Sequence, residues 1–281
     1  MKKNIKNIPV FVLKWWFLLV VILFTLYPVV YTIFGSLRTH HELMLGGSFL
    51  PESWQFSNYY YAFTSANFAL YAWNSIVLAI SVTVIAVLTS SLAGYVLARR
   101  DIPGKKIIMG MYLVFMFVSL GSVTLLPLFN LFSSLGMTNN MSAIIIVMTG
   151  GQTVNVFLIT GFIRTVPKEI DEAAIIDGCT PFQVYYKIII PMIRPILAVV
   201  TLFSFRGAWN AYITPLVFSI GNSSLRTLTV GIVQLRYSAN AAAEWHIMLA
   251  GASIALIPIL IIYAFTHKQF IGGLSAGAVK G

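Results

Sequence analysis

From Ile107 to Ile163 the chain carries not one Asp, Glu, Lys or Arg. A helix that crosses the bilayer needs about 20 apolar residues, because the hydrocarbon core is about 30 Å thick and each residue rises about 1.5 Å. The uncharged stretch is too long for one such helix. The run Ser133-Ser134-Leu135-Gly136-Met137-Thr138-Asn139-Asn140 divides it, since small polar residues and glycine favour turns. Two spans are therefore expected, near Ile107–Phe132 and Met141–Ile163.

The rest of the chain follows the same pattern. Only 9% of residues are charged and 58% are apolar, whereas an ordinary soluble domain carries about 25% charged residues. Further spans are expected at about Trp15–Ser36, Ala72–Ala98, Pro195–Phe218 and Ile247–Phe265. The reading is an all-α, polytopic membrane helix bundle of six spans, one domain over residues 1–281. The run after Lys14 is longer than the apolar core of a cleavable signal, so it is read as a retained first anchor.

Orientation follows from the basic residues. One side of the membrane receives Lys2, Lys3, Lys6, Lys14, Arg99, Arg100, Lys105, Lys106, Arg164, Lys168, Lys187, Arg194, Lys268 and Lys280; the other receives Arg38, Arg226 and Arg236. This bias places both termini in the cytoplasm. It also accounts for the net charge of +10 without a nucleic-acid partner. The single cysteine, Cys179, excludes an intrachain disulfide. All eight acids lie outside the spans, at Glu42, Glu52, Asp101, Glu169, Asp171, Glu172, Asp177 and Glu244. A proton- or sodium-coupled carrier usually buries a carboxylate at mid-membrane. None is expected there, which argues for another energy source. Adjacent histidines point apart, so His40-His41-Glu42 is not read as a metal site.

The long cytoplasmic loop, 164–194, reads as helix, turn, helix. Pro167 and the acids after it suit a first turn, Gly178 suits the left-handed cap, and Thr180-Pro181 restarts a helix that Pro191 closes. Glu172-Ala173-Ala174, with Gly178 six residues after Glu172 and then Ile188, Ile190 and Pro191, resembles the "EAA" loop of the permease subunits of ATP-driven (ABC-type) importers. Only Ile190, in place of Leu, departs from that pattern. The resemblance implies a coupling helix seated on a separate ATPase, with Glu172, Ala173, Ala174, Asp177 and Gly178 in the contact. No Gly-x-x-x-x-Gly-Lys-Ser/Thr loop occurs in the chain, so ATP and magnesium are expected on the partner and no cofactor on this chain.

The loop alone does not choose among sugars, peptides, amino acids and ions. Three further segments resemble the maltose-type oligosaccharide importers. They are the ending Gly272–Gly281, the span motif Trp209-Asn210-Ala211-Tyr212 with Pro215-Leu216, and the outer segment Leu225–Gly231. This resemblance implies a non-enzymatic, multi-pass subunit of a bacterial cell (inner or plasma) membrane that forms half of a sugar pathway. Its partners would be a second homologous permease, two ATP-binding subunits and an extracellular or periplasmic solute-binding protein. It further implies a tail (Gly277, Ala278, Val279, Lys280, Gly281) lying against the ATPase, and an outer loop (Asn222, Ser223, Ser224) meeting the binding protein. Arg206, Trp209, Asn210, Tyr212 and Asn155 are candidate pathway residues. For Asn74, Asn130 and Asn155, helix-to-helix hydrogen bonding and pore lining both remain open. Arg206, roughly 16 Å into its span, would cost at least about 2.5 kcal/mol against lipid, so it should face a water-filled cavity or a polar partner. An importer for another solute class is the alternative, and an ATPase-independent carrier a more distant one.

This orientation has a chemical test. Native Cys179 should react with a membrane-impermeant thiol reagent only in inside-out vesicles, and a cysteine placed at Ser223 only in intact cells. Labelling of Cys179 in intact cells would reverse the topology.

Overall fold

The computed structural model describes residues 8–46, 49–65, 67–118, 121–235 and 244–278, and every regular element among them is helical. In chain order these are α1 (Ile8–Gly35), α2 (His40–Leu45), α3 (Ser57–Ser65), α4 (Phe68–Arg99) and α5 (Lys105–Phe117). A 3-10 turn (Gly121–Thr124) leads into α6 (Leu125–Ser134), followed by α7 (Met141–Thr149), α8 (Thr153–Thr165) and α9 (Glu169–Ile176). Next, α10 (Pro181–Gln183) passes through a π turn (Val184–Ile189) into α11 (Ile190–Met192), and then come α12 (Arg194–Trp209) and α13 (Ile213–Phe218). A second 3-10 turn (Ser223–Leu225), α14 (Leu228–Leu235) and α15 (Trp245–Ala278) complete the described chain.

Three unbroken helices are long and apolar enough to cross a membrane: Phe11–Gly35, Phe68–Arg99 and Trp245–His267. The count reaches six only if each of three bent pairs makes one span. The stretches read from the sequence as the third, fourth and fifth spans are each interrupted in the structure. The third is split between α5 and the Gly121–Ser134 segment, bent by 114°; the fourth between α7 and α8, bent by 48°. The fifth stops at Trp209 and resumes at Ile213.

Each break has a local reason. Gly121 adopts φ +52°, in the left-handed region that glycine tolerates. Gly150 and Gly151 separate α7 from α8, and a glycine pair is a common kink site. Pro215 cannot donate to the carbonyl of Ala211 and its ring would clash there, so it fits only in the first turn of a fresh helix. The expected division at 133–140 is present: Asn140 caps α7 through its Oδ1, which accepts from the Ser142 N–H at 3.0 Å. Pro191, in contrast, does not close its helix. The helix runs on to Met192 and turns by 81° into α12, with the widened π turn lying over the stretch where the Pro191 ring would otherwise meet a carbonyl.

The chain, read as one domain from sequence, divides into two compact units. The first comprises residues up to Phe68 with Gly231–Leu256. Within it α1 is exposed or half-buried from Phe11 to Phe34, and the backbone just past its end is tied down. Asn58 Nδ2 donates to the carbonyls of Ser36 (2.9 Å) and Arg38 (2.8 Å), and the Ser36 and Tyr59 hydroxyls lie 2.7 Å apart. Ala62, Ile247 and Ala250 form a small core beside them. Glu42 completes a capping box with Thr39 and also accepts from the Ser53 N–H. The His40 ring packs edge-on to His246, and among the described residues no three His, Cys, Asp or Glu side chains converge as metal ligands would.

The second unit, Ala69–Val230 with Ile257 onward, is organised on α4. Leu78, Ala79, Val82, Ala86 and Ser90 are buried, while Ile80, Val84, Leu88 and Leu92 are exposed at helical spacing. Where α4 crosses α8, Gly94 permits the approach: a Cβ there would stand 2.7 Å from Ile159 Cγ2 and 3.3 Å from the Thr160 nitrogen. Gly94→Ala should therefore destabilise the protein by about 1–3 kcal/mol. Thermal unfolding in detergent would show it, and an unchanged midpoint would refute the close crossing.

Candidate functional site

The loop between α8 and α12 forms a two-helix unit standing on a core. Tyr95 and Ala98 from α4, Ile159 and Ile163 from α8, Ala174 from α9 and Val184, Tyr185 and Ile189 from the π turn pack together with Ile193 and Val200. The Tyr185 hydroxyl lies 2.7 Å from that of Ser91, and its ring is 5.3 Å from Tyr95.

An ion pair completes the seat. Arg99, at the end of α4, donates through Nε to Asp171 Oδ2 at 3.0 Å, and through a second guanidinium nitrogen to the Val166 carbonyl at 2.9 Å. The two side chains are 5% and 12% exposed. Asp171 Oδ1 is buried without a hydrogen-bond partner among the described residues. Arg100, Lys168 and Glu172 stand around the same hollow of about 140 Å³, with Tyr95 and Ile175.

The turn between the helices has the geometry its glycine suggests. The Cys179 N–H donates to the Ala174 carbonyl (2.9 Å) and the Gly178 N–H to that of Ile175 (3.0 Å), the paired bonds of a Schellman cap. Gly178 takes φ +85°, which a residue with a Cβ adopts only with strain. Thr180 then caps α10 in a capping box with Gln183.

The two sides of this unit differ in chemistry. Asp171 and Ala174 face the core, whereas Glu172, Ala173 and Asp177 are exposed. Beside them Ile175 (49% exposed), Ile176 (86%) and Phe182 (65%) present large apolar surface. Isoleucines this open, interleaved with acids, suit a protein partner better than lipid or water.

The sequence-predicted pathway residues are not all brought together. Trp209 is buried and stacks on Phe205, with ring centroids 5.8 Å apart and planes 10° from parallel. Its neighbours Arg206 and Asn210 are exposed on another face of α12. Asn155 is buried and donates to Ser204 Oγ at 3.0 Å and to Gln152 Oε1, so its amide joins α8 to α12. Tyr212 lines a separate hollow of about 900 Å³ with Gly121, Leu128, Phe132, Gly150 and Gly151, where the helix breaks meet.

Asn74 is accounted for differently. Its amide donates to the carbonyls of Ser224 (2.7 Å) and Arg226 (2.9 Å), holding the 222–226 segment, and Ser75 Oγ accepts from the Leu228 N–H. Asn222 Oδ1 accepts from the backbone and hydroxyl of Ser224, leaving Ser223 and Ser224 exposed. Of the tail, α15 reaches Ala278, and Val279, Lys280 and Gly281 lie outside the described residues.

The sequence reading did not single out Arg99 and Asp171. The available signal was an acid directly before the Glu-Ala-Ala triplet, on a different face from Glu172, and a basic residue closing a span. Their pairing, 72 residues apart, has no local trace.

Comparison with known proteins gives the family and the fold. The family described as "Binding-protein-dependent transport system inner membrane component" matches residues 86–271. The arabinooligosaccharides transport system permease protein of Halalkalibacterium halodurans is 32% identical over 262 residues, covering 91% of each chain. The trehalose transport system permease protein of Mycobacterium tuberculosis is 30% identical over 260 residues, covering 92% of this chain and 93% of its own. Among solved structures, a bacterial ABC transporter involved in the import of the acidic polysaccharide alginate superposes with a TM-score of 0.81 at 21% identity, over 96% of this chain and 99% of that one. The chain belongs to the family of binding-protein-dependent transport system inner membrane components, a multi-pass membrane family of transport subunits.

Asp171→Ala would leave the Arg99 guanidinium buried without its counter-charge. A loss of about 3–5 kcal/mol is expected, read as a lowered unfolding midpoint of the purified protein. Asp171→Glu should recover much of it. Equal stability of Asp171→Ala and the parent would show that the pair contributes nothing to the seat.

Proposed function

We propose that this chain is one of two permease subunits of an ATP-driven importer for a sugar or oligosaccharide, and that it receives the ATPase's motion through α9. The observation that carries the reading is the exposed face of the α9–α10 unit: Glu172, Ile175, Ile176 and Phe182 beside a strained glycine turn, on a seat buried through Asp171 and Ala174. The substrate class rests on the relatives, whose names include arabinooligosaccharide and trehalose transport.

In this reading the loop faces the cytoplasm, both termini lie on that side and six spans cross. Two ATP-binding subunits hold ATP and magnesium, and their closure moves the two permeases as rigid bodies. Glu172 pairs with a basic residue of the ATPase while Ile175 and Ile176 fill an apolar cleft. The tail Gly277–Gly281 reaches the ATPase. On the far side, Ser223 and Ser224, held by Asn222 and Asn74, meet the solute-binding protein. Arg206, Asn210 and Tyr212 border the path, while Asn155 and Trp209 brace it from within.

Glu172→Lys and Gly178→Pro test the coupling surface. The first reverses the exposed charge, and proline cannot take the left-handed turn. Each variant should insert normally yet lose ATP-driven uptake by about tenfold or more, equivalent to about 1.4 kcal/mol of docking energy. Copurification of the ATPase should fall in parallel. Normal uptake by both variants would remove α9 from the coupling path.

A further inference from the structure

The outward face of α12 carries a row of unlike chemistries. Phe203, Arg206, Gly207 and Asn210 are spaced i, i+3, i+4, i+7, and so share one face. They line an open hollow of about 250 Å³. Phe203 and Gly207 also border a neighbouring hollow of about 320 Å³, which extends to Gln152, Asn155 and Ser204. A Cβ at Gly207 would meet nothing within 4 Å, so the helix surface beside Arg206 is open.

Arg206 stands out in this row. Its side chain is exposed and makes no ion pair or hydrogen bond among the described residues. All eight acids of the chain lie outside the apolar stretches, so no residue along α12 neutralises it. Arginine stays charged, and its planar fork of donors matches a carboxylate or a sulfate. Beside it Phe203, 44% exposed, offers a ring face to the C–H face of a sugar, and Asn210 offers a donor and an acceptor to hydroxyls. The volume admits one pyranose ring.

We propose that this face of α12 is a selectivity site for an anionic saccharide, with Arg206 holding the acidic group, Asn210 the hydroxyls and Phe203 the ring. The proposal rests on the saccharide-importer reading and narrows it to a charged substrate class. Its rival is an ion pair between Arg206 and a carboxylate of the second permease.

The test uses the complete transporter in proteoliposomes with its binding protein. Three probes are supplied: a uronic-acid oligosaccharide, its carboxyl-reduced neutral counterpart, and a sulfated counterpart of the neutral chain. ATP-driven uptake of the uronate, the sulfated probe or both should exceed that of the neutral one. Arg206→Gln should lower the ratio of anionic to neutral uptake by about tenfold or more, the worth of a charge-assisted contact. Arg206→Lys, which keeps the charge without the fork, should fall between the two. Preferential uptake of the neutral probe, unaltered by either variant, overturns the proposal and leaves the saccharide reading intact. Loss of the second permease on affinity purification of Arg206→Gln, with all probes affected equally, assigns the arginine to the subunit interface instead. Uptake of peptides or ions with no saccharide uptake at all removes the proposal together with the reading beneath it.

Discussion

A backbone polar group left without a partner in hydrocarbon costs several kcal/mol, and the way this chain satisfies such groups orders much of its architecture. Within the long helices, hydroxyls fold back onto carbonyls one turn earlier, as Thr83 does on Ala79 and Thr160 on Val156. Where helices end, asparagine amides take over. Asn58 collects two carbonyls past the end of α1, Asn74 holds two in the 224–226 segment, and Asn140 caps α7. Irregular backbone is tolerated at membrane depth where it is buried in protein or lines a cavity. The residues around Gly121, Gly150 and Ala211 border one hollow together, in keeping with that rule.

The α9–α10 unit obeys a different logic, because it needs both rigidity and an open face. Rigidity comes from the Arg99–Asp171 pair and the aliphatic core below it, joined by the Ser91–Tyr185 contact. A buried ion pair is weak evidence for net stability, since desolvation offsets much of its attraction. It does fix geometry: the bonds from Arg99 to Asp171 and Val166 define where α9 sits relative to the end of α4. In the proposed transporter, force applied at Glu172 and Ile176 would pass through that joint rather than be absorbed in a flexible loop.

α12 shows how one helix divides its duties by face. Phe205, Ala208 and Trp209 turn inward, and Ser204 bonds Asn155, so this side holds the unit together. Phe203, Arg206 and Asn210 turn outward. Both groups come from the same short stretch of sequence. Residues that adjoin in the chain are separated by about 100° around the helix, which is why Trp209 and Asn210 cannot serve one ligand from one side.

How much was legible beforehand depends on the range of the physics involved. Local rules determined the helical class, the turn at 133–140, the left-handed Gly178 and the Thr180 cap, because each depends on residues within about one turn of the chain. Apolar runs at Trp15–Ser36, Ala72–Ala98 and Ile247–Phe265 fall on the three unbroken long helices, although α1 begins at Ile8 and α15 runs on to Ala278. The splitting of the other spans was partly visible in Gly150-Gly151 and Pro215, yet length counting passes over such breaks. Glu172 and Gly178 stood out as candidates because the pattern around them resembles the EAA loop of importer permeases. Tertiary structure alone decided that Asp171 meets Arg99, that Asn74 holds the 224–226 segment, and that Trp209 is buried while Arg206 is open. Those outcomes depend on which helix faces meet, and contacts between segments far apart in the chain leave no periodic signal in either one.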